Sequence, residues 1–235
     1  MLRSGNEWQG NILCDQRKRR KKENMKIIDL SHPISPNMPV YPGAETPIFI
    51  NEGTIDDDGF LEKKIIMYSH TGTHMDAPAH MINGAKTLDQ LPVDHFFGTA
   101  CIVHVAAREN HSIGIDALEP HQDLIKHSEF ILLNTGWSKF WGSESYFHNY
   151  PVLSSEAASW LSNFNLKGIG SDTISPDEIG ATDSPIHKIF LSRNIVIIEN
   201  LTNLDIVSGN SFTFSCFPLK IEQADGSPVR AVAII

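Results

Sequence analysis

Short apolar runs, rich in β-branched residues and bounded by polar or turn-forming stretches, recur along most of this chain. Leu61–Met67, Ala100–Ala106, Phe130–Leu133, Gly168–Ser171, Asn194–Glu199 and Val229–Ile235 each have the length and composition of a strand. Lys26–Leu30 opens in the same way. Helical periodicity is clearest over 154–164, where Ala157, Trp160, Leu161 and Phe164 recur at i, i+3, i+4 and i+7. Ser154 or Ser155 can cap that helix by accepting from a free first-turn N–H. A second helix is predicted over 184–192, with Ser184 as N-cap, Pro185 in the first turn, and Ile186, Ile189 and Phe190 on one face. Residues 116–126 are a third helical candidate. Pro33, Pro36, Pro39, Pro42 and Pro47 crowd the section 33–59. Each fixes φ and lacks an N–H, which predicts a long irregular surface loop of a kind that is often functional. Strands mixed with a few helices, and no internal repeat, indicate one α/β or α+β domain.

Hydrophobic residues make up 41% of the 235, enough for an ordinary core. The net charge of -9 is unevenly spread. Residues 1–24 hold seven basic and three acidic side chains, a net +4, which leaves -13 on the remainder. So acidic a body argues against nucleic acid as a partner; a small substrate held through bound cations fits the sign better. The basic run Arg17, Lys18, Arg19, Arg20, Lys21, Lys22 can be read as a nuclear signal or nucleic-acid arm, or as a solvated tail. It can also be the translated trace of a purine-rich ribosome-binding stretch ahead of Met25, and this third reading is favoured. Residues 1–24 are therefore expected to be a disordered or non-native extension, with the domain spanning 25–235. Cys14, Cys101 and Cys216 are odd in number and form no C-x-x-C pair. A disulfide framework is not expected, a reducing cytoplasm is, and Cys101 and Cys216 read as inert core residues. No apolar stretch approaches the roughly eighteen residues of a membrane span, so no membrane partner is expected. The N-terminus lacks the apolar region of a secretory signal.

The segment His70-Thr-Gly-Thr-His74-Met-Asp76-Ala-Pro-Ala-His80 places three histidines and one aspartate within eleven residues. Neutral imidazole and carboxylate are the usual ligands of zinc and similar divalent ions. Gly72 permits a tight turn and Pro78 stiffens the exit, so His70, His74 and Asp76 can converge. Three protein ligands leave a position for water, as in a catalytic site. A bound cation brings the pKa of that water toward about 7. His80, nearby in sequence, can move protons as general base and acid. Unrelated loop residues are the bland alternative. It is preferred for His95, His111, His121, His127 and His148, which carry no partner pattern, while His104 reads as a core or edge residue.

The eleven-residue segment resembles the H-x-G-T-H-x-D-x-P-x-H signature of the cyclase family of metal hydrolases, which includes bacterial kynurenine formamidases and isatin hydrolases. The resemblance runs from about Ile27 to Ile235 and takes in Asp29–His32, Pro39–Gly43, Asn134–Trp137, Gly170–Pro176 and Ser227–Arg230. It implies a mixed sheet curled toward a barrel with helices outside. It also implies a first metal on His70, His74 and Asp76, a bridging role for Asp76, and His80 as the catalytic histidine. His187 and Glu199, twelve residues apart, match the histidine and glutamate that complete the second site in the formamidases. Isatin hydrolases have glutamine at the latter position and use one metal. Tyr41 falls where the formamidases place an aromatic substrate contact, here tyrosine rather than tryptophan. Without the family, His187 reads as a helix-face residue. Glu199 closes an apolar strand, which is costly for a carboxylate unless it is paired or metal-bound. Asp172 is either a supporting partner of the ligands or a strand-end turn residue.

The expected function is metal-dependent hydrolysis of an amide, with N-formylkynurenine as leading substrate. Two divalent ions, zinc or else manganese, and a homo-oligomer are expected. The alternatives are action on a cyclic amide or lactone, including ring closure, and a non-catalytic metal-binding scaffold.

Overall fold

The computed structural model describes residues 25–105, 111–209 and 211–235. Every expected strand is present, within a residue or a few of its predicted bounds. In chain order the described strands are β1 Ile27–Asp29, β2 Ile48–Gly53, β3 Glu62–Ile66, β4 His74–Asp76, β5 Phe97–His104, β6 Ser112–Ile113 and β7 Phe130–Asn134. They continue with β8 Val152–Leu153, β9 Gly168–Ser171, β10 Val196–Glu199, β11 Phe212–Ser215, β12 Gly226–Pro228 and β13 Val232–Ile234. The helices are α1 Ile55–Asp58, α2 Ile115–Leu118, α3 Gln122–Lys126, α4 Ser155–Leu161 and α5 Pro185–Leu191.

Nine strands form one mixed sheet in the order β1-β13-β11-β5-β7-β9-β10-β4-β12. The run β5-β7-β9-β10 is parallel, and its flanks are antiparallel. The sheet curls on itself. The chain leaving edge strand β1 meets the chain leaving β10, where Ser31 bridges Leu201 and Thr202 N donates to the Leu30 carbonyl at 3.0 Å. Alternation along the parallel strands fills two cores. Phe130, Leu132, Val196 and Ile198 point into the curl with Met75, Phe214 and Ala233. Ile131, Leu133, Ile169 and Ile197 point outward under Leu118, Ile125, Ala157, Leu161, Ile186 and Phe190 of the helices. This is the α/β domain with a barrel-like sheet and outer helices that the sequence led us to expect.

Three local expectations need correction. The section 33–59 is not irregular throughout: past Pro47 the prolines stop, and Ile48–Gly53 pairs with Glu62–Ile66 as a two-stranded hairpin, with α1 in its connection. The candidate helix over 116–126 is broken into α2, a 3-10 turn at Glu119–His121 and α3, because Pro120 has no N–H to give the helical ladder. Ser184 precedes α5 in a left-handed conformation (φ 43°) and its side chain makes no capping bond. The capping acceptor is instead Asp177, whose carboxylate takes Ile186 N at 2.9 Å and His187 N at 3.0 Å. The expectation for residues 1–24 lies outside the described residues. No described helix is long and apolar enough to cross a membrane.

Candidate metal centre

Strand β4 organises the centre. Its alternation sends Met75 into the inner core and puts His74 and Asp76 together on the opposite face. In the antiparallel register with β10, Glu199 lies opposite His74; in that with β12, Gly226 lies opposite Asp76. Sheet pairing thus joins Glu199 to His74 across more than a hundred residues of sequence. His187 enters from the first turn of α5, whose start Asp177 fixes.

The second nitrogen of each imidazole is held by the chain. The turn at Gly72 (φ 67°) aims its carbonyl at His74, whose Nδ1 donates to it at 2.8 Å. His74 Nε2 is thereby left 3.3 Å from Asp76 Oδ1 and 3.4 Å from Glu199 Oε2. His187 Nδ1 donates to Asp177 Oδ2 at 2.6 Å, which leaves Nε2 3.4 Å from Glu199 Oε1 and 3.7 Å from Asp76 Oδ2. His70 stands between two carboxylates, with Nδ1 2.7 Å from Asp76 Oδ1 and Nε2 3.0 Å from Asp225 Oδ2. His80 ends the 3-10 turn Pro78–His80, with its ring centroid 4.0 Å from that of His70 and Nδ1 3.5 Å from Asp225 Oδ2.

The structure therefore brings together all six of the expected side chains His70, His74, Asp76, His80, His187 and Glu199. Among the described residues, two trios have ligand atoms within 4.8 Å of one another: His70, His74, Asp76 and Asp76, His187, Glu199. They share Asp76. A third, His70, His80, Asp225, was not foreseen.

Whether these side chains fit a cation can be judged from the atoms themselves. Asp76 is buried, and its Oδ2 has no hydrogen-bond partner. Burying a carboxylate oxygen without a partner is costly unless a positive charge meets it. His74 and His187 have committed their Nδ1 protons elsewhere, so their Nε2 lone pairs face anionic oxygens, which repel unless a cation or proton lies between. With no cation the protons stay. Burial opposes charge on His70, but bonding and attraction to Asp76 and Asp225 outweigh it and hold the imidazole at about 9. The same balance holds His187 at about 10 through Asp177, Glu199 and Asp76, and raises His74 through Asp76 and Glu199. Burial works against Asp76 too, yet its histidine partners keep it well below the usual carboxylate range; burial and the charge of Asp76 push Glu199 up. Burial lowers His80. A buried set of imidazoles and carboxylates that gathers protons in this way is chemically suited to zinc-like divalent ions.

A cavity of about 510 Å³ opens onto the cluster. Tyr41, Tyr68, Val40, Ala44, Met81 and Ile174 supply its apolar and aromatic wall, and Glu178 and Asp225 its acidic wall; no lysine or arginine lines it. Tyr41 thus stands in the cavity wall, 45% exposed. Asp172 is a turn residue: it accepts from Thr135 N, Thr135 Oγ1 and Trp137 N at 3.0, 2.6 and 2.8 Å, away from the ligand atoms. His104 ends β5 exposed, 3.1 Å from Asn134 Nδ2. Cys101 and Cys216 are buried and free, with their thiols pushed up by burial. Sequence reasoning missed Asp177 and Asp225. Both act through folded contacts, and neither stands in a spacing pattern that would mark it.

The Cyclase family model (“Putative cyclase”) matches residues 28–178. The chain belongs to the cyclase family. It is 34% identical over 206 residues to the kynurenine formamidase of Bacillus cereus, a match covering 87% of this chain and 95% of that protein. Isatin hydrolase A from Ralstonia solanacearum superposes with a TM-score of 0.81 at 26% identity, over 90% of this chain and 92% of its own. A structure described as a potential metal-dependent hydrolase with cyclase activity gives 0.74 at 29% identity, over 89% and 98%. These likenesses make the chain a hydrolase of the cyclase family, and its side chains are placed as a metal-dependent one requires.

Proposed function

We propose that this cyclase-family chain hydrolyses an N-aryl formamide, with N-formylkynurenine as its substrate and kynurenine and formate as products. The observation that carries the reading is the pair of ligand trios sharing Asp76 at the floor of a pocket with an aromatic wall. Glu199, rather than glutamine, completes the second trio as in formamidases, and the 34% identical relative is named a kynurenine formamidase. The acidic wall at Glu178 and Asp225 suits a substrate whose far end carries an ammonium group.

His70, His74 and Asp76 would hold one divalent ion, and Asp76, His187 and Glu199 a second, with zinc favoured by the imidazoles and manganese by the carboxylates. Ions so held supply Lewis acidity toward a carbonyl and ionise water near neutral pH. The chain's own part is to position and to move protons. Tyr41 and Tyr68 offer faces on which an aryl ring can stack. Buried Asp76, His74, His187 and Glu199 form a floor from which bulk water is excluded. His80 directs Nδ1 toward Asp225, so Nε2 is the nitrogen that takes a proton from the attacking water and returns it to the leaving aniline nitrogen. Breaking the C–N bond then yields a free amine and formate.

Cyclic amides are the second reading, favoured by the 0.81 superposition on isatin hydrolase A. One experiment separates the two. Metal-loaded enzyme is given N-formylkynurenine, isatin and a small lactone, and product absorbance is followed against a metal-only control. Turnover of the formamide above the others supports the proposal. No formamide turnover, with isatin or lactone cleaved, overturns the substrate while leaving the hydrolase. Turnover of none would favour the scaffold alternative.

A further inference from the structure

Two of the three ligand-side imidazoles have their second nitrogen fixed by groups that simple chain geometry supplies, a nearby carbonyl for His74 and a helix-capping aspartate for His187. His70 is different. Its Nε2 is met by Asp225, 155 residues away, in the chain just ahead of β12. Asp225 is itself fixed on three sides. Ser69 Oγ donates to its Oδ1 at 3.1 Å. Its carbonyl accepts Ala77 N at 2.8 Å, which ties its backbone to the end of β4. The next residue, Gly226, lies directly beneath the His70 ring: a Cβ there would stand 2.5 Å from Cε1, 2.7 Å from Nε2 and 2.9 Å from Nδ1. Real Cβ atoms do not approach so closely, so any side chain at 226 would drive the ring from its place. The same Asp225 Oδ2 that meets His70 also faces His80 Nδ1 at 3.5 Å.

From this geometry we propose that Asp225 is a positioning residue that works through two histidines, with Gly226 as the floor that makes the contact possible. It takes the Nε2 proton of His70, so that Nδ1, which faces Asp76 and the interior of the first trio, is the nitrogen that gives up its proton to a cation. From the same oxygen it sets the ring of His80 so that Nε2 faces the pocket. One carboxylate thereby couples the placement of a candidate ligand to that of the candidate proton carrier. Partners of this kind orient ligating histidines in metal sites generally, and losing one costs about 10- to 100-fold in metal affinity or activity. The inference rests on the two-trio reading, in which Asp225 holds no ion itself.

The test uses the full chain and the variants Asp225→Asn, Asp225→Ala and Gly226→Ala. Zinc affinity and stoichiometry are measured by competition with a chromophoric chelator. The ring ¹⁵N shifts of the zinc-loaded protein report which nitrogen of His70 keeps its proton. Melting of the metal-free variants shows that they fold. Expected for Asp225→Ala is an unchanged stoichiometry, a roughly 10- to 100-fold weaker first site and a His70 that is no longer held as the Nε2–H form. Asp225→Asn, which can still accept at its amide oxygen, should fall between it and the wild type. Gly226→Ala should weaken the first site at least as much as Asp225→Ala with Asp225 intact. Wild-type affinity and tautomer in Asp225→Ala would overturn the proposal. So would the loss of one whole equivalent of zinc, which would make Asp225 a ligand with His70 and His80. A wild-type protein that binds no zinc would instead overturn the metal reading on which the proposal stands.

Discussion

Loading the metal-free protein with zinc should expel about two protons per chain near pH 7.5. The count follows from His70 and His187. Their carboxylate neighbours hold them at about 9 and about 10, above the ordinary 6.5 of an imidazole. At pH 7.5 each is therefore roughly nine-tenths or more protonated. A cation needs the bare nitrogen, so filling both trios must release both protons. The logarithm of the overall binding constant should then rise by about two per pH unit between pH 7 and 8.5. Calorimetry in buffers of differing ionisation enthalpy reads the number directly, as the slope of apparent enthalpy against buffer enthalpy. Ionisation of a coordinated water would add to the release and cannot subtract from it, so the lower bound is the test. Fewer than one proton per chain would show that these imidazoles are neutral before binding, and the account of the cluster as a proton-filled cation site would fail. The same shifts set the pH dependence of metal-free stability. Both pKa values are raised on folding, so their contribution is complete below about pH 6.5 and is lost as pH climbs through about 9 and 10. Melting temperature without metal should fall across that window, whereas zinc-loaded protein should lose stability in the acid direction as protons displace the ions.

Four substitutions and one hydrodynamic measurement test other parts of the reading. His80→Ala should keep the metal content found by elemental analysis yet lower turnover by about 10²–10⁴-fold, the usual contribution of general acid–base catalysis. Glu199→Gln should lose metal from the second trio and retain one equivalent in the first, read from the same analysis. His74→Ala should lose the first ion and nearly all activity. Asp177→Ala should lower metal-free melting through the lost cap on α5, at about 0.5–2 kcal/mol, and should also weaken the second ion, because the His187 Nδ1–H loses its anionic acceptor. The hairpin β2-β3 exposes Ile48, Ile50, Ile65 and Ile66, apolar surface of the sort that association covers, and the expected homo-oligomer should sediment above 26.2 kDa; a monomer at micromolar concentration would refute that expectation.

Local pattern made the frame of the fold legible. The buried parallel strands read as continuous apolar runs because both of their faces are covered, Phe130–Asn134 by the inner core on one side and helices on the other. The helix around Ala157 and Trp160 showed its period because one face packs on the sheet and the other meets solvent. What stayed hidden were pieces too short to carry a period. Strand β4 has three residues, and β12 has three, one of them proline. Their strand character comes from neighbours on either side rather than from propensity. Pro120 was present in the sequence and is what breaks the helix expected over 116–126; the apolar spacing around it concealed the consequence.

The centre was legible for a related reason, and incompletely so. Histidines at i and i+4 with an aspartate at i+6 suggest convergence through a turn, yet the turn supplies only half of the geometry. Gly72 bends the chain and orients His74, but His74 and Asp76 share a face because they are two apart in a strand, and that strand was invisible. Its place between β10 and β12 decides which distant residues join the cluster. A register shift of one residue would turn Met75 to the site and bury both ligands in the inner core. The charge of Glu199 at the end of an apolar run was a usable signal because a buried carboxylate demands a partner wherever it comes from. Asp225 gave no such signal: it is half exposed, follows Ala224 in an ordinary turn sequence, and gains its role only because β12 lays Gly226 under the ring of His70. Residues that bind directly can be constrained in type by chemistry and so be recognised in sequence, whereas residues that aim them are constrained by register, which exists only once the sheet has formed.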